Sequence, residues 1–196
     1  MFMLIKPAIM MLLIWTVLTG MFYPALVTGL AQVFFPEQAK GSILRDKHDK
    51  AIGSALIGQP FRGIQYFWGR PSATIPYPYN AGASGGSNLG PTNPALTEAV
   101  KARIETLRTA DPDNKASIPI DLITASASGL DPHISPAAAL YQIPRVAKAR
   151  HLDPKKLENI VQSYTEGRQW GFLGEPRVNV LTLNLALDAI QKRTGT

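Results

Sequence analysis

The sequence predicts an α+β protein: a single N-terminal transmembrane helix followed by one mixed α/β extramembrane domain. Three observations predict it. Residues Ala8 to Phe35 carry no charged side chain, while most of the remaining chain has the mixed composition of soluble sequence. Asn93-Pro94, Ser135-Pro136 and Asp153-Pro154 each pair a capping side chain with a proline, the signature that opens a helix. Between these points lie short apolar runs broken by glycine and proline, which suit short strands and loops.

The anchor is assigned to residues 1–36 and the extramembrane domain to residues 37–196. An uncharged run of this length is about 42 Å of helix, more than the ~30 Å hydrocarbon slab requires. A cleaved secretory signal is the competing reading, because Gly29-Leu30-Ala31 is a tolerable small-x-small site and Lys6 supplies a positive start. The apolar stretch outruns the usual signal core and continues through Val33, Phe34 and Phe35, which favours an uncleaved anchor. Trp15 and Tyr23 suit interfacial depth, Pro24 is a kink site, and Thr19, Gly20, Ala25, Thr28 and Gly29 offer a small-residue face for neighbouring helices. Lys6 precedes the anchor, whereas Lys40, Arg45, Lys47 and Lys50 follow it. That count alone points the domain towards the cytoplasm, but long domains translocate largely regardless of charge, so these residues leave orientation open.

After the anchor, Ile52 to Phe61 reads as a short strand or strand pair. Tyr66-Phe67-Trp68 reads as buried packing with one wet face, or alternatively as a docking shelf. Ser72 to Pro94 has neither helical nor strand period, and a loop this long is functional or mobile. Asn93 then caps a helix with Leu96, Val100, Ile104 and Leu107 on one face, ending before Asp111-Pro112. Ile118, Ile120 and Leu122 alternate as a strand, edge-like at Pro119. The helix opened at Pro136 is expected to divide at Pro144, with Gln142 and Arg145 flanking the break. The helix opened at Pro154 has the stripe Leu157, Ile160, Val161 and Tyr164. The closing run alternates like a strand, yet its length favours a helix capped by Asn179, with Val180, Leu183, Leu187 and Ile190 inward.

Composition narrows the chemistry. Zero cysteines exclude a disulfide framework, a thiol nucleophile and a thiolate metal site. The formal net charge of +6 comes from scattered basic residues, a pattern that suits lipid head groups or an acidic partner surface and argues against nucleic acid. The histidines His48, His133 and His151 are far apart and form no preassembled metal pair.

Two stretches invite a site. Ser84-Gly85-Gly86-Ser87-Asn88-Leu89-Gly90 looks like a phosphate cradle, and Ser84, Gly85, Gly86, Ser87 and Asn88 are the candidate contacts if nucleotide is bound. No lysine lies between Arg70 and Lys101, so the P-loop pattern G-x-x-x-x-G-K-S/T fails, and G-x-G-x-x-G fails as well. A backbone-rich loop with left-handed positions, packed on its own protein or on a partner, fits better. Ser128, Asp131 and His133 would be the members of a hydrolase triad, with Ser126 as the other serine. The elbow G-x-S-x-G is absent, since Gly129 directly follows Ser128, and closeness in sequence does not supply triad geometry. These residues name no catalytic group. A nucleotide-binding adaptor and a tethered hydrolase stay open as readings of these two stretches.

Five motifs occur in one order behind the anchor: Gly53-Ser54-x-Leu56-Ile57-Gly58-Gln59-x-Phe61; Tyr66-Phe67 with Arg70-Pro71-Ser72; Tyr79-Asn80 with Ser84 to Pro91; Asp121-Leu122 with Thr124 to Ser135; and Gly174-Glu175-Pro176-Arg177-Val178-Asn179-Val180. Together they resemble the C subunit of the Kdp potassium-transporting P-type ATPase over nearly the whole chain. The resemblance implies a single-pass subunit of a bacterial inner-membrane complex, its domain on the periplasmic side. Its partners would be a potassium-selecting channel-like subunit, a P-type ATPase subunit, a small single-helix subunit and membrane lipid. It implies no cofactor of its own, ATP and K+ being handled by the complex. It further implies a role in assembly and stability, and one as a catalytic chaperone raising the pump subunit's affinity for ATP.

Overall fold

A computed structural model describes residues 2–194, with side chains described from Leu4 to Gln191. Backbone contacts divide the chain into two compact units, one ending at Ser54 and one beginning at Ala55. The architecture is α+β, an apolar N-terminal helix followed by helices and small antiparallel sheets.

In the first unit, α1 (Phe2–Val17), a π-helical turn (Leu18–Phe22) and α2 (Tyr23–Phe34) run in direct succession. Leu4–Phe34, 31 residues, is long and apolar enough to cross a membrane. Its large apolar side chains are exposed throughout, as a lipid-facing helix requires. The expected disturbance near Pro24 takes the form of the π turn: the Tyr23 N–H reaches back to the Leu18 carbonyl, one residue farther than in an α-helix. Pro24 has no N–H, so one ladder bond is lost here in any case, and the wide turn resets the register around it. The hydroxyls of Thr16 and Thr19 donate to the Leu12 and Trp15 carbonyls at 2.7 and 2.6 Å, so neither is left unpaired in an apolar setting.

A short α3 (Pro36–Ala39) leads to an antiparallel hairpin of β1 (Ile43–Arg45) and β2 (Ala51–Ser54). Asp46 shapes its turn by accepting from the His48 and Lys50 N–H groups. The strand expected over Ile52 to Phe61 ends at Ser54, because its partner lies upstream. Farther on, Gly58 directs its N–H to the Leu130 carbonyl at 2.9 Å.

The second unit contains α4 (Pro94–Ala110), α5 (Pro136–Arg150), α6 (Pro154–Ser163) and α7 (Val180–Thr194). A three-stranded antiparallel sheet places β5 (Arg177–Asn179) between β3 (His133–Ile134) and β4 (Thr165–Glu166). Each helix opens as its capping residue predicts. Asn93 accepts from Ala95 N–H, Ser135 from Ala138, Asp153 from Lys155 and Asn179 from Thr182, all at 3.0 to 3.1 Å. The core gathers Phe67, Ile134, Val146, Leu157, Val161, Val178, Leu183 and Leu187. Helix α7 buries Val180, Leu181, Leu183, Asn184 and Leu187, more than one face, which is why its sequence also alternates like a strand.

Two expectations fail. Ile118 to Ile123 is no strand: Ile120–Leu122 forms a 3-10 turn whose Leu122 N–H returns to the Pro119 carbonyl. Leu122 is buried and Ile120 exposed, while the Asp121 carboxylate accepts from the Ser135 N–H and hydroxyl; a turn serves that bridge, and a ladder is not needed. Nor does Pro144 divide its segment, since α5 continues through it to Arg150. The carbonyl freed by Pro144 is that of Leu140, and both residues lie on the exposed stripe that continues to Lys148, so the missing bond falls on the solvent side of the helix and not in the core.

Candidate functional site

The aromatic segment runs through the core as irregular backbone, held by side chains in place of a sheet. Asn184 from α7 accepts the Phe67 N–H through Oδ1 and donates to the Phe67 carbonyl through Nδ2, both at 2.9 Å. Gln142 from α5 does the same for Trp68, accepting at 2.8 Å and donating at 3.1 Å. Arg145 donates to the Ile64 and Tyr66 carbonyls and to Gln142 Oε1, and its guanidinium lies 4.2 Å from the centre of the Trp68 ring. Burial pushes the Arg145 pKa down to about 10, against the opposing pull of Asp111 and Tyr141. Arg150 donates to the Gln65 carbonyl and pairs with Asp188 at 2.7 Å. Every buried polar group in this set has a partner whose loss would strand it. Gln142 and Arg145, expected beside a helix break, are buried members of this clamp.

The clamped segment delivers Arg70 to Ser72 to a junction with the segment Thr124 to His133. Ser72 Oγ donates to the Gly129 carbonyl at 2.7 Å and accepts from the Tyr79 N–H at 2.9 Å. Thr74 Oγ1 donates to the Tyr77 carbonyl and accepts from Asn80 N–H. The Tyr79 hydroxyl donates to the Arg70 carbonyl, and its ring occupies the space a side chain at Gly58 would need. Gly129 has φ +67, and a Cβ there would sit 2.5 Å from the Thr74 methyl and 2.7 Å from the Gly85 carbonyl. Only glycine fits this position.

The two candidate stretches meet at this junction. Ser84 Oγ and the Gly85 N–H both donate to the Ser128 carbonyl, at 3.0 and 2.9 Å. Gly86 lies so close to Ala127 that a Cβ would stand 2.8 Å from its carbonyl oxygen. The glycine at 86 therefore permits close approach, whereas a side chain at Gly85 would meet open space. The left-handed residue among Ser84 to Asn88 is Asn88, at φ 52, and not a glycine. Ser87 and Asn88 complete this stretch.

Ser128 Oγ accepts from the Leu130 N–H, and Ser126 Oγ accepts from the Gly129 N–H, so both serines shape the turn. The Asp131 carboxylate meets Arg70 Nη1 at 3.1 Å and His133 Nδ1 at 3.4 Å. Burial alone would raise the Asp131 pKa, but hydrogen bonds from the His133 side chain and backbone and from Arg70 outweigh it and hold the carboxyl below its ordinary range. Asp131 and His133 thus come together, whereas among the described residues no hydrogen bond joins His133 to Ser128 or Ser126. Among the described residues no group of three histidine, aspartate or glutamate side chains is placed to hold a metal ion.

Sequence reasoning missed the cleft beside this junction. A pocket of about 450 Å³ lies between the clamped segment, Pro78-Tyr79 and α4, with Arg62, Trp68, Arg70, Tyr79 and Arg103 in its wall. Burial lowers the Arg103 pKa, offset by Tyr79, and burial together with the Asp131 charge pushes the Tyr79 phenol up to about 12. Arg103 sits on the same helix as the expected apolar stripe, and no motif flags it. A signal did exist for the clamp: Asn184 interrupts a run of leucines, where a polar residue needs a buried partner.

Residues 5–189 match the family KdpC, K+-transporting ATPase, c chain. A potassium-transporting ATPase KdpC subunit of Methylococcus capsulatus is 65% identical over 186 residues, covering 95% of this chain and 97% of that one. The subunit of the same name from Dechloromonas aromatica is 60% identical over 189 residues, covering 96% and 98%. That of Geobacter sulfurreducens is 59% identical over 186 residues, covering 95% and 97%.

Proposed function

The chain belongs to the KdpC family of K+-transporting ATPase c chains, and from that premise we propose that it is a non-catalytic accessory subunit that assembles and stabilises the complex. The match along nearly its full length to potassium-transporting ATPase subunits carries this reading. The geometry is in keeping with it, because Ser126, Ser128 and Asp131 are engaged in shaping a turn and an ion pair. In this reading ATP hydrolysis and potassium selection lie on partner subunits, a P-type subunit and a channel-like one, with a small single-helix subunit beside them. The apolar helix crosses the bacterial inner membrane and the domain stands on the periplasmic side.

A chaperone effect on the pump subunit's ATP affinity then travels through subunit contacts. Ser84 to Asn88 would face the wrong compartment to touch cytoplasmic nucleotide. Deleting the chain should abolish assembly or potassium-stimulated ATPase activity, and a fully active complex lacking it overturns the proposal. Orientation has its own test. The chain has no cysteine, and a side chain at Gly90 meets open space, so Gly90→Cys is a clean reporter. It should react with a membrane-impermeant maleimide in intact spheroplasts. Labelling only after membrane disruption places the domain inside.

A further inference from the structure

The cleft beside the loop junction has a chemistry that the accessory role leaves unexplained. Among the described residues its wall carries three arginines, Arg62, Arg70 and Arg103, and no aspartate, glutamate or lysine. Arg70 is neutralised by Asp131. Arg62 and Arg103 have no hydrogen bond or ion pair among the described residues, and Arg103 is partly sheltered from water by the wall it belongs to. An arginine in such a place lacks the counter-charge that would compensate its lost hydration.

The rest of the wall says what kind of counter-charge fits. Trp68 and Tyr79 stand beside the arginines, Phe61, Leu107 and Leu122 add apolar lining, and just before Pro78-Tyr79 in the chain Ile75 and Tyr77 are exposed, at 78% and 58% accessible. Tyrosine, tryptophan and arginine clustered around a concavity, with lysine and acids absent, is the composition of an energetic centre in a protein interface. A free small anion would leave the apolar lining wet; a polypeptide surface covers it. The volume suits one or two side chains and not a domain edge.

We propose that this cleft is a docking socket for an acidic side chain presented by another subunit of the complex. Its carboxylate pairs with the guanidinium of Arg103, Arg62 stands at the mouth, and the apolar neighbours of the acid lie on Ile75 and Tyr77. The planar fork of arginine matches a carboxylate with two parallel N–H bonds. The proposal rests on the reading that the chain works within a multi-subunit pump.

The test uses the assembled complex, purified from membranes expressing all subunits. Arg103→Lys places a primary amine in the socket, and a carbodiimide then joins it directly to any carboxylate in contact. The expected product is an amide between position 103 and an aspartate or glutamate of a different subunit, located by peptide mass spectrometry and absent from Arg103→Gln. Arg103→Glu should lower co-purification of the partner at least tenfold, while Arg108→Glu, on the same helix outside this pocket, leaves it unchanged. With the fold intact by circular dichroism, absence of the amide, an amide only within this chain or to a second copy of it, or unchanged co-purification for Arg103→Glu overturns the socket. If the wild-type chain itself co-purifies with no other subunit, the complex reading falls first and the socket falls with it.

Discussion

Asn184 holds Phe67 by both of its backbone groups, with Oδ1 on the N–H and Nδ2 on the carbonyl, each at 2.9 Å. The carboxamide does for one residue what a neighbouring strand does for a ladder. Phe67 and Asn184 are both fully buried, so water cannot replace either bond.

Asn184→Ala therefore leaves two buried backbone groups unpaired, and at roughly 1–3 kcal/mol for each the loss of stability should be about 3 kcal/mol. Urea unfolding of the detergent-solubilised chain measures it. A loss below about 1 kcal/mol would mean that the clamp is incidental. Asn184→Asp should be no milder at neutral pH, because a carboxylate cannot donate to the Phe67 carbonyl and is itself buried.

The same pair shows what could be read from the sequence. Helix starts were legible because Asn93, Ser135, Asp153 and Asn179 act locally, each within three residues of the N–H it satisfies. The apolar helix was legible because its whole length obeys one rule of composition. The clamp was not, since Asn184 and Phe67 are 117 positions apart and nothing local pairs them. Ile118 to Ile123 misled because alternation is equally produced by a 3-10 turn that buries Leu122 and sends Asp121 to Ser135. Of the candidate site, the glycine loop and the Ser-Gly-Asp segment were each visible, but their contact with each other, and the arginine cleft beside them, exist only after folding.

The loop junction should discriminate sharply among glycines. Gly129→Ala puts a methyl group against Thr74 and the Gly85 carbonyl at positive φ, and should destabilise by about 2–4 kcal/mol. The loop should then become a preferred protease site. Gly90→Ala meets open space and should change stability by less than about 1 kcal/mol. Equal protease sensitivity for the two variants would show that the junction does not hold the loop.

The Asp131 carboxyl sets an acid limb. Its folded pKa lies below its ordinary value, so the stability it adds is fully present above the ordinary carboxylate range of about 3.9 and is lost as pH falls through the folded value. Asp131→Asn keeps the shape and removes the charge. It should lower stability at neutral pH by about 2 kcal/mol, through loss of the charged acceptor for Arg70, and flatten the decline below about pH 4. An unchanged acid limb in the variant assigns that limb to other carboxyls.

Pro144 offers a change that should stabilise the protein. Helix α5 passes through it, so the Leu140 carbonyl lacks its intrahelical donor, and both residues are exposed. Alanine restores the donor and is about 3 kcal/mol more favourable than proline in a helix interior. The unfolded chain regains freedom worth about 1 kcal/mol when the ring is lost, which opposes the gain. The net effect of Pro144→Ala should be about 1–2 kcal/mol of added stability, read from the urea midpoint at unchanged slope. The alternative is that the ring itself braces α5 between Gln142 and Arg145, which hold the clamped segment. In that case Pro144→Ala would lower the midpoint and weaken the hold on Trp68 together, and quenching of Trp68 fluorescence would reveal it.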